Sequence, residues 1–301
     1  MDNLEKYLEY HKRSSLARDI DPANDTLRYL CNRFELNIEQ RYWMAFLYAC
    51  SYSATTTYYI YNEFPDFENV DLDRLQIWWD KNKTPLIFQT DRLRVKSSNQ
   101  FVDAFVSYKR MIGNRTQHDF FRSLCTSTSG ENYNKVYNKA SEIFTFGRFT
   151  LFIYLEMVNV LTDLAIQPTH LDLKEAESCR NGLVLAFDLN ELFTHGTDKK
   201  INGDEVKLLQ GKFTQIYEAI QLMEIDHKNI WNIETTLCAY KKYRLGKRYV
   251  GYYIERSGKE LSKLTSAITS GVDWTPLWQF REETYNHKFL SEKKQSNGKR
   301  N

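Results

Sequence analysis

Four groups of residues in this 301-residue chain carry side chains that could do chemistry. The first is a polar stripe on the otherwise apolar stretch 145–164. At about 100° per residue, Arg148, Glu156, Asn159 and Asp163 fall within an arc of roughly 80° on a helix. Unpaired charge is costly to bury, so the stripe is either the wet side of a half-buried helix or a polar seam lining a site. The second is Glu177-Ser-Cys-Arg-Asn-Gly182, where a helix start with Arg180 and Asn181 could hold a phosphate group. In the third, Glu234, Cys238 and Lys241 share a helix face at i, i+4, i+7. There Lys241, Lys242, Arg244, Lys247 and Arg248 also put five positive charges into eight residues, with Tyr240, Tyr243 and Tyr249 interleaved. Such a run is either solvated surface or a grip on a phosphodiester backbone with rings that stack on bases. The fourth is Arg248–Arg256, where Tyr249, Tyr252, Tyr253 and Arg256 cover one side of a helix as core or as pocket wall.

Other chemistries are excluded by their missing motifs. No G-x-x-x-x-G-K-[ST] occurs, which argues against a P-loop kinase or ATPase. No H-E-x-x-H, paired Cys/His spacing or G-x-S-x-G elbow is present, so no protein-built zinc site or hydrolase elbow is expected.

Apolar residues recur at the helical period along nearly the whole chain. Asp21-Pro22 opens a helix to about Leu36, with Asp21 as its cap, and Asn37 caps a single long helix from Ile38 to Phe64, which Pro65 ends. Further helices are expected over 71–82, 99–112, 116–128, 131–143, 145–164, 174–190, 205–224, 231–243, 249–266 and 275–288. Leu86–Phe88 reads as a short strand. Glycine and proline total 17, under half the roughly 12% of an average protein, which disfavours turn-rich sandwiches, barrels and doubly wound sheets. The expected fold is therefore all-α, a multi-helix globule forming one catalytic domain over 1–290, with a candidate subdivision near 167–173 and a disordered basic tail over 291–301. A net charge of +2 confines any nucleic-acid contact to local patches. Five scattered cysteines, a charged N-terminus and the polar residues within 146–166 point to a cytoplasmic protein with buried thiols.

Taken in order, Gly147-Arg-Phe149 with Tyr154-Leu-Glu156, Ser178-Cys-Arg-Asn-Gly182, Glu234–Lys242, Tyr249–Arg256 and Gly271-Val-Asp-Trp274 resemble a known family. Arg41-Tyr-Trp43 and Asn62-Glu-Phe-Pro65 add to the resemblance, which covers roughly residues 30 to 290. The family is the phage α-glutamyl/putrescinyl thymidine pyrophosphorylases, or amino acid:DNA transferases. The resemblance implies action on phage DNA in which thymine is replaced by 5-hydroxymethyluracil and activated as a pyrophosphate ester. The enzyme exchanges pyrophosphate for an amine from an amino acid or putrescine, leaving a C–N bond on the base methyl. It also implies kinship with helical DNA glycosylases, for which only the turn Met111–Arg115 between two helices speaks here.

Chemistry, rather than the resemblance, then assigns roles. Arg148, Arg180, Asn181, Lys242 and Arg256 would bind phosphate or pyrophosphate, and a Mg²⁺ ion could share that task. Glu156, Glu234 and Lys241 would be catalytic, a carboxylate serving as base because the amine must be neutral to attack. Arg244, Lys247, Arg248 and Tyr249 would hold DNA, and Tyr252 and Tyr253 would wall the pocket for a flipped base. Two other readings stay open, a helical DNA glycosylase or nuclease acting on modified DNA and a non-catalytic DNA-binding protein. The host cytoplasm is the expected location if the protein is phage-encoded.

Overall fold

The computed structural model describes residues 2–89, 95, 100–194 and 201–285, and every regular element among them is helical. The tail expected to be disordered lies outside these residues. The elements are α1 Asn3–Leu16, α2 Pro22–Arg33, α3 Ile38–Ser51, α4 Ala54–Glu63, α5 Leu72–Asn82, α6 Gln100–Ile112 and α7 Gln117–Leu124, followed by α8 Ser129–Ala140, α9 Arg148–Thr162 and α10 Glu177–Ala186. After a 3₁₀ turn at Asn190–Leu192 come α11 Gly203–Gln221, α12 Ile230–Arg244, α13 Tyr252–Ala267 and α14 Thr275–Thr284. The chain divides into two compact units. Among the described residues, the first comprises those within 1–22 and 168–256 with 284–285; the second comprises those within 23–167 and 257–283.

In the second unit α3 is the central helix, every residue from Tyr42 to Ser51 being buried, and it packs on α4, α7 and α9. Rings fill the space around it: Trp43 lies 5.4 Å from both Phe46 and Phe105, and Phe46 stacks on Tyr108 at 4.4 Å. Their polar ends are satisfied, as burial requires: Trp43 Nε1 donates to the Phe64 carbonyl at 2.7 Å, and the Tyr108 hydroxyl to Gln117 Oε1 at 2.7 Å.

The single helix expected from Ile38 to Phe64 is two helices. Tyr52 takes a left-handed φ of 50° as the C-cap of α3, and the Ser53 hydroxyl accepts the Thr56 N–H to start α4. The break falls at Tyr52-Ser53, where the left-handed turn ends one helix and the serine caps the next. The expected strand at Leu86–Phe88 is not one either. The Thr56 hydroxyl donates to the Ile87 carbonyl at 2.8 Å and accepts its N–H at 3.0 Å, serving both backbone groups that a partner strand would serve.

In the first unit α10 and α12 form the centre, with α1 and α11 against them. Sequence periodicity alone did not single out α1. Asp2 and Glu5 form a reciprocal capping box at its start, and Tyr7, Tyr10, His11, Ser14 and Ser15 make its buried face. A polar network lies within that face. The Thr236 hydroxyl sits 2.9 Å from the Tyr7 hydroxyl and 2.8 Å from His11 Nδ1, while His11 Nε2 meets the His227 carbonyl at 2.9 Å.

A ring nitrogen facing a carbonyl must carry the proton, so this network holds His11 as the neutral Nε2–H tautomer. Burial pushes its pKa down to about 4, with the His227 carbonyl bond opposing. The unfolded chain takes up that proton near 6.5, so stability falls as pH drops from about 6.5 to about 4, by roughly 3 kcal/mol in all. Urea unfolding of His11→Gln at pH 7.5 and 4.5 checks this. The stability gap between wild type and variant should narrow at the lower pH; a gap independent of pH would refute the assignment.

Candidate active site

The first unit gathers most of the chemically suggestive residues at one corner. Gly182 decides how α10 and α12 meet: a Cβ there would lie 1.9 Å from the Leu237 carbonyl oxygen. The two backbones touch, which puts the start of α10 beside Glu234 and Cys238 on α12. The Cys238 thiol donates to Glu234 Oε1 at 3.2 Å.

Arg180 and Asn181, expected to bind phosphate, are turned to another use. Arg180 is 4% exposed and Asn181 fully buried. The Arg180 guanidinium donates through Nη1 to the carbonyls of Leu173 (2.9 Å) and Lys174 (2.7 Å), and through Nη2 to the Thr194 hydroxyl (2.9 Å). Asn181 exchanges hydrogen bonds with the Thr194 backbone at 2.7 and 3.0 Å. Both side chains therefore pin the loops before and after α10. Their donors serve the chain's own oxygens, with the buried Nε of Arg180 left without a hydrogen-bond partner.

The cations lie at the end of α12 and the start of α13. The Lys242 ammonium is held below its ordinary pKa first by Arg248, then by burial, Arg256 and Lys241, so all four positive groups act on one region. Lys241 Nζ stands 5.1 Å from the centre of the Phe193 ring. The Arg248 guanidinium lies over Tyr252 at 5.0 Å and Tyr253 at 4.7 Å, and donates to the Tyr253 hydroxyl. Tyr249 donates to Glu255. Arg244 is exposed and donates to Asn3 Oδ1 and the Tyr240 hydroxyl, both at 3.2 Å; Lys247 is exposed.

Two carboxylates that sequence reasoning did not count as site residues complete the corner. Both come from the α1–α2 loop. Asp19, 2% exposed, accepts the N–H groups of Gly251 (2.8 Å), Tyr253 (2.9 Å) and Ile254 (3.0 Å), and so caps α13 from 230 residues away in sequence. Burial pushes it up to about 7, against those three bonds and Arg248. Asp21 adopts a left-handed φ of 47°. Its carboxylate was expected to cap α2; instead it accepts the Thr235 hydroxyl at 2.6 Å. Burial pushes Asp21 up to about 7, the Thr235 bond opposing and the neighbouring charge of Glu234 adding to the rise. The contact spans more than two hundred residues, so no local pattern could reveal it.

Arg148 and Glu156 belong to the second unit. Arg148 opens α9 and lines an open cleft of about 450 Å³ formed by residues 141–150. Glu156 is 7% exposed and accepts a hydrogen bond from Asn24 Nδ2 at 2.9 Å. The polar stripe is thus half-exposed at Arg148 and Asn159 and exposed at Asp163, but buried at Glu156. It is not simply the wet side of its helix. Among the described residues no group of three or more His, Cys, Asp or Glu is placed to hold a metal ion, and no helix is long and apolar enough to cross a membrane.

The sequence profile of the amino acid:DNA transferases matches residues 15–249. The chain belongs to that family. A protein named serinyltransferase from Salmonella phage ViI is 29% identical over 262 residues, covering 81% of this chain and 63% of that protein. The chain therefore spans under two thirds of that relative's length. The family match takes in Asp19, Asp21, Glu234 and the cations from Lys241 to Arg248, and stops before Tyr252, Tyr253 and Arg256.

Proposed function

We propose that this transferase works on phage DNA, replacing the pyrophosphate of a 5-pyrophosphoryloxymethyl-uracil base with the amino group of an amino acid or a polyamine. The bond from the base methylene to the leaving oxygen breaks and a C–N bond forms. Pyrophosphate departs with the electron pair, and the amine proton passes to a carboxylate. What carries the reading is the convergence in the first unit of a buried carboxylate, Asp21, and its half-buried neighbour Glu234 with Lys241, Lys242, Arg248 and Arg256.

Each half of that convergence suits one half of the exchange. Fixed cations stabilise the charge that gathers on departing pyrophosphate oxygens without needing to reorganise. A carboxylate at about 7 is some three units more basic than an ordinary aspartate, which brings it closer to an amine's own pKa. Tyr252 and Tyr253 would supply ring surface for a base drawn out of the duplex, and Arg244, Lys247 and Tyr249 would hold the flanking backbone. Arg148, beside the cleft at 141–150, and Glu156 stay candidates within the second unit for binding an anion and for accepting a proton. The reaction takes place inside the infected host cell.

The test supplies DNA bearing the pyrophosphorylated base with a panel of amines including serine, glycine, glutamate and putrescine, then digests it to nucleosides for mass spectrometry. A new amine-bearing nucleoside together with released pyrophosphate is the expected result. Free base or strand breaks in its place would replace this reading with a glycosylase or nuclease.

A further inference from the structure

A second, smaller cleft lies in the first unit, beside the cationic corner and sharing Arg244 with it. It measures about 190 Å³ and is formed between α1 and the last turn of α12. Lys6, Glu9, Tyr10 and Arg13 line it from one helix, and Tyr240, Tyr243 and Arg244 from the other. Lys6, Tyr10 and Arg13 stand at i, i+4 and i+7, so they share a face of α1.

The floor of the cleft is aromatic. The Tyr10 and Tyr243 rings are 4.4 Å apart at 31°, and Tyr240 and Tyr243 stack at 6.1 Å and 20°. Tyr10 and Tyr240 are buried, whereas Tyr243 keeps part of its ring open to the cleft. Three cations against one carboxylate surround this ring. The cleft also adjoins the corner described above, because the Tyr10 hydroxyl lies within electrostatic reach of both Asp19 and Arg248.

We propose that this cleft binds a nucleotide of the DNA strand flanking the modified one, its base stacked on Tyr243 and its phosphates held by Lys6, Arg13 and Arg244. The inference rests on the reading that the protein acts on DNA. A flat ring rimmed by cations suits this ligand because every base offers a π-face and every linkage a charge, so the contact needs no sequence. Glu9 stands at the rim as the one repulsive charge.

Fluorescence anisotropy with a labelled thymine-containing oligonucleotide, single-stranded and duplex, tests it on the full chain across a salt series. Tyr243→Ala should weaken single-strand binding about tenfold or more, and Tyr243→Phe should restore it. Lys6→Ala with Arg13→Ala should lower the slope of log K against log salt by between about one and two. Glu9→Gln should tighten binding. Lys6 and Glu9 are exposed, so these variants carry the test even if Tyr243→Ala fails to fold. Wild-type affinity and salt slope in the cleft variants, while Lys247→Ala weakens binding, would overturn the cleft but leave the transfer reaction standing. A wild-type chain that neither binds DNA nor transfers an amine would overturn both.

Discussion

Asp21→Asn should reduce amine transfer by about 10²- to 10⁴-fold, the range that a positioned general base contributes, while leaving the fold intact. The asparagine oxygen can still accept the Thr235 hydroxyl that Asp21 accepts at 2.6 Å. What the variant loses is proton affinity. With wild type, kcat/KM should rise about tenfold per pH unit and level off near 7, the value to which burial and Glu234 raise this carboxyl. Asp21→Asn should remove that limb, and Glu234→Gln should move it to lower pH, since the charge that raises Asp21 is gone. A limb unchanged in Asp21→Asn would show that another group is the base. Stability should move the opposite way. A carboxyl whose folded pKa lies above its unfolded value of 3.8 binds more protons in the native state between 3.8 and about 7, so its contribution is lost as pH rises through 7. At pH 8 the asparagine variant should therefore melt higher than wild type, separating damage to the chemistry from damage to the fold.

Gly182→Ala should have the largest effect on stability of any single methyl group added to the first unit. The new carbon would lie 1.9 Å from the Leu237 carbonyl oxygen and 2.6 Å from its carbon, both backbone atoms that no rotamer change can move. The helices must separate. Overpacking of this kind costs about 3 kcal/mol or more, which is roughly a 6–12 °C fall in Tm for a unit of this size. Transfer should fall with it, because Glu234 and Cys238 ride on the displaced helix. Gly211→Ala is the control. That glycine sits in α11 with nothing within 4 Å of an added Cβ, and alanine there should stabilise by up to about 1 kcal/mol. Calorimetry on the two variants decides the matter: equal melting temperatures would mean that the close approach at Gly182 is absent.

The helices were legible because their apolar residues repeat at the helical period and their caps are standard chemistry, as at Asn37, whose side chain and that of Gln40 form a reciprocal box. The break at Tyr52 was not, since tyrosine carries no sign that it will turn left-handed. Nor was the early helix α1, whose buried face is built from Tyr7, Tyr10, His11 and two serines rather than aliphatic residues. At the candidate site the density of cations after Tyr240 is visible in any reading of the chain. Arg180 misled because an arginine's donors suit phosphate and backbone carbonyls equally, and only the fold shows that the carbonyls of Leu173 and Lys174 take them. Asp19 and Asp21 could not be found at all from spacing. Their partners lie on α12 and at the start of α13, and proximity created by folding leaves no periodic trace.

That same distance along the chain sets an order of events during synthesis. Residues 23–167 follow one another without interruption and make up most of the second unit, so they can pack as soon as they leave the ribosome. The first unit cannot. Asp19 and Asp21 emerge early and must wait for Thr235, Gly251, Tyr253 and Ile254, more than two hundred residues later, before either carboxylate has its partner. Closing so long a loop is slow relative to local packing. Translation must thus reach the first turn of α13 before Asp19 and Asp21 meet their partners, and nascent chains stalled short of that point hold both carboxylates unpartnered while the 23–167 segment is already packed.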